Sequence, residues 1–408
     1  MSNISSIPFN KPFATGKELE YIQDAINLGH ISGNGYYTKK CQNFFQERYS
    51  FKKCLLTTSC TDALEMAAIL INTQPGDEII LPSFTFVSTA NAFALRGAKL
   101  IFCDSRTDHP GIDEDKIEEL ITEKTKAIVP VHYAGVACDM DKIMALAEKY
   151  NLFVVEDAAQ AIDSYYKGKP LGGIGHLGCF SFHETKNISS GEGGMLVVND
   201  DRFIERSEII WEKGTNRQAF FRGEIDKYGW VDIGSSFLPS DIIAAFLWAQ
   251  LEHIDEIQAK RLQIWNQYNE TLKPIADKAE IRLPFIPDYA TNNAHMYYII
   301  AEGKEQRAES EKLRAESKEQ RAESEKIRAE SKEQRDKIIK KLKDKGIQAV
   351  FHYQSLHQSK FYSSQSMQRE CPQSDYYSLN LLRLPLFVGI DTTITQKMFK
   401  ILMEYNDD

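Results

Sequence analysis

The chain reads as an α/β protein: a mostly parallel seven-stranded sheet sandwiched by helices, with a small α+β domain behind it. Three observations carry this reading. Apolar runs recur at 54–57, 78–82, 99–103, 127–131, 152–155, 179–182 and 195–198. Most are separated by segments of helix length, and strands that alternate with helices pair in parallel because each crossover lays a helix on a sheet face. Beyond about Ile281 the pattern changes to short strands, AHMYYII and QAVFHY, around one long helix. Unbroken apolar runs, as opposed to alternating ones, are what strands buried on both faces show.

The elements follow in order. Residues 16–50 carry a helical pattern, a turn at Gly33-Asn34-Gly35, and a second helix to about Tyr49. The alternating region comes next. Residues 241–272, DIIAAFLWAQLEHIDEIQAKRLQIWNQYNETL, predict a long helix that crosses from a large domain (1–250) into a small one (251–408). The stretch 304–335 is compositionally foreign: KEQRAES and EKLRAES units alternate as heptads. Its Ala, Glu, Lys, Arg and Gln favour helix, with no Gly or Pro. Leu313 and Ile327 share a heptad position with Gln306, Gln320 and Gln334, which makes a poor coiled-coil seam. Ten basic residues nearly cancel nine glutamates. A solvated single helix running on into DKIIKKLKDKGI is expected, with a self-association arm as the alternative.

Composition bounds the function. At 408 residues the chain can bury a large core, and 42% hydrophobic with 26% charged is ordinary for a soluble globular protein. No apolar run reaches membrane-spanning length, and the start, MSNISSIPFNKPF, has no apolar leader core. Seven cysteines lie scattered without a C-x-x-C pair, as reduced thiols of a cytoplasmic protein would. A formal charge of −9 argues against a general nucleic-acid binder.

The chemistry gathers at strand ends. The run 152–155 ends in Glu156-Asp157, and 179–182 ends in His183-Glu184-Thr185-Lys186. In open α/β sheets ligands sit at that carboxyl edge. An Asp and a Lys there suit pyridoxal phosphate (PLP): the Lys amine forms the Schiff base, and the Asp keeps the pyridinium nitrogen protonated. A plain ion pair is the competing reading. Thr57-Thr58-Ser59-Cys60-Thr61-Asp62 enters the helix ALEMAAILI. Such a loop offers free N–H groups to a phosphate, or is simply an N-cap. Phe86, after the next strand, could stack on a pyridine ring or belong to the core. Ser181 could add a hydroxyl to the phosphate, and Gln160 could reach a phenolic oxygen. Two decoys are set aside. Gly173-Ile-Gly175-His-Leu-Gly178 precedes a strand, whereas a dinucleotide fingerprint follows one into a helix. No histidine shows metal-ligand pairing, so no metal site is expected.

These segments resemble a family. VVEDAAQ, then SFHETKN and GEGG, is similar to the DegT-type nucleotide-sugar aminotransferases, PLP enzymes of fold type I. PGDEIILPSFTFVSTANAF, VPVHYAGVACDMD and SDIIAAFLWAQLE fit as well, so all but the heptad insert is covered. SFHETKN, EKGTNR and DIGSS most resemble the dTDP-4-amino-4,6-dideoxygalactose transaminase branch. The resemblance implies that Lys186 carries the Schiff base and moves the proton. It gives Asp157 the pyridinium nitrogen, Gln160 the phenolic oxygen and Phe86 the stacking position, with Ser59, Cys60, Thr61 and Ser181 around the phosphate. It also implies a homodimer with its active site at the subunit interface. Many relatives place an Asn in a G-Y-N-Y-like segment that reaches the neighbouring subunit's phosphate; here the segment is Gly234-Ser235-Ser236-Phe237, with Ser236 as the shorter substitute.

For substrate, 214–230 offers Arg217, Arg222 and Lys227 among aromatics, suited to a diphosphate and a base, or to nothing more than a charged surface loop. His352 and His357 fall where the family's small domain closes over the sugar. The implied reaction moves the amino group of L-glutamate to the C4 ketone of a dTDP-linked 4-keto-6-deoxyglucose. The same transfer on another keto sugar, such as a C3 ketone, is the alternative. A sugar 3-dehydratase is disfavoured because that branch carries His in place of the Schiff-base Lys. A non-catalytic protein recruiting a partner through its helical arm is the reading from another class.

Overall fold

The computed structural model describes residues 6–301, 321–363, 369–391 and 393–405, with only the backbone described for 321–331. The first half of the heptad stretch, 304–320, lies outside the described residues. All seven expected strands form: β1 (Lys53–Thr57), β2 (Glu78–Pro82), β3 (Lys99–Cys103), β4 (Thr125–Ile128), β5 (Phe153–Asp157), β6 (Leu177–Ser181) and β7 (Gly194–Val198). They make one sheet in the order β1-β7-β6-β5-β4-β2-β3. Only β7 runs against its neighbours; the other pairs are parallel. β7 reverses because β6 is joined to it by a loop without a crossover helix.

The strands are apolar throughout because both faces are covered. Along β2, Ile79 and Leu81 face a core built with α3 (Cys60–Leu70), α4 (Val87–Ala94) and α6 (Ile204–Trp211), after α1 (Glu18–Asn27), α2 (Tyr36–Tyr49) and α5 (Met140–Tyr150) are assigned to the other side. There Ile80, Val154 and Leu56 pack with α1, α2, α5 and α8 (Asp241–Leu251). A short helix, α7 (Arg217–Phe221), lies in the connecting loop.

The helix expected over 241–272 is two helices, α8 and α9 (Ile254–Leu272), broken at Glu252-His253. The break has a packing cause. The Asp241 carboxylate at the start of α8 accepts from the N–H groups of Tyr37 and Thr38 at 3.1 and 2.8 Å, which ties α8 to the head of α2. α9 must turn away to serve two cores. Ile254 and Ile257 join the large-sheet core, whereas Ile264, Trp265, Tyr268 and Leu272 join a second one. Both helices share an apolar periodicity, so the sequence does not reveal the change of direction.

That second core sits under a four-stranded antiparallel sheet of β8 (Ile281–Arg282), β9 (Tyr297–Ala301), β10 (Val350–Phe351) and β11 (Leu381–Leu384), ordered β8-β9-β11-β10. α10 (Arg321–Asp344) packs on it through Ile338 and Leu342, beside α13 (Ile394–Tyr405), which follows α11 (Lys360–Ser363) and α12 (Pro372–Asn380). α10 is one unbroken helix from the second half of the heptad stretch into the packed domain, as the composition predicts. It stops at Gly346, whose φ of +78° suits glycine. The sheet's other face meets the large sheet's carboxyl edge through Phe84, Tyr133, Met296, Tyr298 and Tyr377. Among the described residues no helix is long and apolar enough to cross a membrane.

Candidate active site

The carboxyl ends of β1, β2, β5 and β6 open into one cavity of about 610 Å³. It is lined by Ser59, Cys60, Thr61, Phe86, Asp157, Gln160, Ser181, Lys186 and His352, among others. Nine residues singled out in the sequence therefore converge on one space. Tertiary structure brings them together because parallel strands deliver all their carboxyl ends to the same edge.

Asp157 is 5% exposed. One carboxylate oxygen accepts from the Thr89 hydroxyl at 2.7 Å and the other from the Ala159 N–H at 3.1 Å. Thr89 is held in turn by Thr85, hydroxyl to hydroxyl at 2.8 Å. Burial pushes the Asp157 carboxyl above the usual carboxylate range, against the pull of these bonds and of the Lys186 charge. Burial likewise lowers the Lys186 ammonium below the ordinary lysine range, in a site where the Arg383 charge acts in the same direction. No ion pair joins Asp157 to Lys186: Asp157 spends its bonds on Thr89 and Ala159. The ion-pair reading of these two residues fails, and Lys186 stands half-buried in the wall of the cavity.

One wall of the cavity is built by the N-terminus of α3. Ser59 caps it, its hydroxyl accepting from the Asp62 N–H at 3.1 Å, and the first-turn N–H groups at Cys60 and Thr61 have no partner within the helix. The turn sits against Gly194, the first residue of β7. A Cβ there would lie 2.3 Å from the Ser59 carbonyl carbon and 2.4 Å from the Cys60 nitrogen. The last glycine of GEGG thus lets α3 approach the strand.

The other candidates sort clearly. Gln160 accepts from the Ala134 N–H at 2.6 Å and donates to the Tyr353 hydroxyl at 2.8 Å. His352 pairs with the Tyr133 hydroxyl at 2.6 Å and stacks on Tyr353. His357 does not line the cavity. Its Nδ1 is hydrogen-bonded with the Ser83 hydroxyl at 2.7 Å and its Nε2 lies 3.6 Å from Asp375, so it clamps the loop after β2 to the segment before α11. Arg217, Arg222, Lys227 and Ser236 are exposed and do not line the cavity within this chain. Arg222 is already paired with Glu208 and Glu224, at 2.7 and 2.8 Å. Arg217 lies over the rings of Phe221 and Tyr228.

The glycine-rich decoy acquires a role. The N–H groups of Gly172, Ile174 and Gly175 donate to the fully buried Glu156 carboxylate at 2.7, 2.7 and 2.5 Å, and His132 Nε2 lies 2.9 Å from it. The loop wraps a carboxylate of the protein, which holds β5 rigid beside Asp157.

Among the lining residues that escaped sequence reasoning are Thr89, His295, Tyr353 and Arg383. Arg383 left a signal, a lone charge inside the apolar run LNLLRLPLF. The other three left none, since threonine, histidine and tyrosine in apolar surroundings read as core.

Comparison with known proteins agrees with this geometry. The DegT/DnrJ/EryC1/StrS aminotransferase family matches residues 13–327 and 324–402, the two segments meeting inside the heptad stretch. GDP-perosamine synthase of Escherichia coli O157:H7 is 33% identical over 312 residues, 76% of this chain and 80% of that protein. Among solved structures, Helicobacter pylori PseC, an aminotransferase involved in the biosynthesis of pseudoaminic acid, superposes with a TM-score of 0.84 at 23% identity, covering 98% of this chain and 99% of that one. A Streptococcus pneumoniae protein, Spr1654, solved in its PLP form, gives a TM-score of 0.84 at 24% identity, covering 98% of this chain and 99% of that one. With a Lys and an Asp at adjoining strand ends and a capped helix N-terminus opposite, the chain belongs to the DegT/DnrJ/EryC1/StrS aminotransferase family and is a pyridoxal phosphate-dependent transaminase.

Proposed function

We propose that the enzyme moves the amino group of L-glutamate to the C4 ketone of dTDP-4-dehydro-6-deoxy-D-glucose. The product is dTDP-4-amino-4,6-dideoxy-D-galactose, a unit for surface polysaccharide. The observation that carries the transfer chemistry is the half-buried Lys186 amine, with no ion pair among the described residues, sharing a cavity with Asp157. The choice of sugar rests on the branch segments SFHETKN, EKGTNR and DIGSS.

The residues present fit the cofactor. Bound pyridoxal phosphate supplies an electron sink that lets a C–H beside the nitrogen ionise. In our reading Lys186 holds it covalently and shuttles the proton, since desolvation that lowers an amine's pKa favours the neutral form, which is both nucleophile and base. Asp157 holds a proton on the ring nitrogen, oriented by Thr89. The N-terminus of α3 with Ser59, Cys60, Thr61 and Ser181 takes the phosphate. Phe86, whose ring lies 6.1 Å from that of Tyr353, offers an aromatic face, and Gln160 offers its amide to the phenolic oxygen.

The site lies between a large domain, 1–250, and a small one, 251–408, and we assign His352 to the sugar. His357 is left out because both its ring nitrogens are engaged. Arg217, Arg222, Lys227 and Ser236 enter the proposal only through a homodimer, each loop serving the partner's site. Support for that is the exposed apolar surface of the same loop, where Phe221, Tyr228 and Trp230 are 61%, 50% and 82% exposed.

A second reading follows from the relative named for a GDP-linked sugar: the same transfer to a GDP-linked keto sugar. Incubation of purified enzyme with L-glutamate and a panel of dTDP-, UDP- and GDP-linked keto sugars, with product identified by mass and NMR, decides between them. Conversion of the dTDP 4-ketone supports the first reading, exclusive use of a GDP sugar supports the second, and no conversion of any overturns both.

A further inference from the structure

The cavity has a second positive pole that the cofactor does not need. Arg383 sits on β11, between β9 and β10, paired in register with Tyr298 and Val350. Side chains alternate along the strand: Leu382 and Leu384 enter the small-domain core, whereas Leu381 faces the large sheet's edge with Phe84 and Tyr133. Arg383 shares the face of Leu381 and lines the cavity. A cation in that position ordinarily has an acid beside it. Here none of the described carboxylates pairs with it.

What Arg383 does touch holds it in place without neutralising it. One terminal nitrogen donates to the Phe351 carbonyl at 3.3 Å. The guanidinium lies 4.6 Å from the centre of the Phe9 ring. Its Nε is buried with no acceptor. The titratable groups around it cannot supply the missing charge: Tyr133 and Tyr353 are pushed above the ordinary tyrosine range by burial, and His295 and His352 are held well below the ordinary histidine range. His295 Nδ1 is 2.9 Å from the Asn187 side-chain oxygen. Since the Asn187 amide nitrogen donates to Gln258 and to the Asn293 carbonyl, Nδ1 is the protonated nitrogen and the ring is a neutral acceptor at Nε2.

We infer that Arg383 is the carboxylate-binding residue for the amino donor, taking the acid group next to the carbon that gives up its amine. This rests on the transaminase reading. A planar guanidinium with a free Nε binds a carboxylate through two parallel hydrogen bonds. Position favours this anion over the diphosphate of a nucleotide sugar. Arg383 lines the same cavity as Lys186. A donor's carboxylate is one bond from the reacting carbon, whereas a sugar's diphosphate is a whole ring away. The other pole, at the N-terminus of α3, is the one assigned above to the cofactor's own phosphate.

The test is calorimetric binding of glutarate, a dicarboxylate with no amine to transfer, to the cofactor-loaded enzyme and to its Arg383→Gln and Arg383→Lys variants, with inorganic pyrophosphate as the second probe. Arg383→Gln should weaken glutarate at least roughly tenfold, the scale of a lost charge-assisted hydrogen bond. Arg383→Lys, which keeps the charge and the fold, should lose less. Dimethyl glutarate, uncharged, should bind wild type at least roughly tenfold more weakly than glutarate. Unchanged glutarate affinity in Arg383→Gln with the cofactor absorbance intact overturns the assignment while the donor stands. A loss of pyrophosphate binding in place of glutarate overturns it in favour of the diphosphate. No glutarate binding by wild type overturns the acidic donor itself.

Discussion

At the residue scale the site depends on two ionisable groups, the buried Asp157 and the half-buried Lys186, shifted in opposite directions by desolvation. Lys186→Ala should keep its circular dichroism spectrum, retain no covalently bound cofactor, and lose transamination by at least about 100-fold. Asp157 gives a pH test on the cofactor-free protein. Its folded carboxyl titrates above its unfolded value. The native state therefore holds the proton longer than the unfolded chain does. The stability this contributes is complete below the ordinary Asp range and is lost as pH rises through the raised native value. Asp157→Asn has no such loss, so relative to wild type it should gain stability from pH 4 to pH 7 in urea titrations. A constant difference across that range would mean that the carboxyl titrates normally. Asp157 and Lys186 were legible in the sequence because strand ends announce themselves. Thr89, which orients Asp157 across 68 residues of chain, was not.

At the element scale, two segments carry the sharpest expectations. Gly194 permits contact between β7 and the head of α3, so Gly194→Ala must displace the backbone at Ser59 and Cys60. Overpacking of this kind costs about 1–3 kcal/mol. The urea midpoint should fall, and cofactor affinity should fall with it, because the displaced turn is the one we propose for the cofactor's phosphate. The heptad stretch is the opposite case. α10 joins its second half to a packed helix whose buried contacts begin at Arg335, which donates to the Ser378 carbonyl at 2.8 Å. Excising 304–331 removes 28 residues, which in a continuous helix would span about 7.8 turns at 3.6 residues per turn, close to a whole number. The packed part of the helix from Arg335 onward keeps its contacts, and turnover and oligomeric state should be largely unchanged. Loss of activity in a folded deletion would show that the stretch closes the site; a smaller assembly at constant activity would show an association arm.

At the scale of the whole molecule, the open question of assembly lies on the loop 214–236. An exposed Trp230 beside Phe221, Tyr228 and Val231 is more apolar surface than an isolated loop needs. If a second copy covers it, Trp230→Glu should convert the dimer into a monomer by light scattering and lower turnover with it, since the partner's residues leave the site. An unchanged mass would remove Arg217, Arg222, Lys227 and Ser236 from the active site altogether.

The architecture and the chemistry were largely written in local pattern. Buried strands read as unbroken apolar runs whatever lies around them, and an Asp and a Lys just past such runs must reach the ligand edge of a parallel sheet. Direction and distance were not local. Whether α8 and α9 were one helix, whether Asp157 and Lys186 formed an ion pair, and whether His357 faced the cavity or Ser83 depended on where separate segments came to rest. Arg383 shows the division most plainly. Its charge inside LNLLRLPLF was visible, but only packing of the small sheet onto the large one placed it over the cavity without a carboxylate, because pairing and burial are properties of neighbours in space.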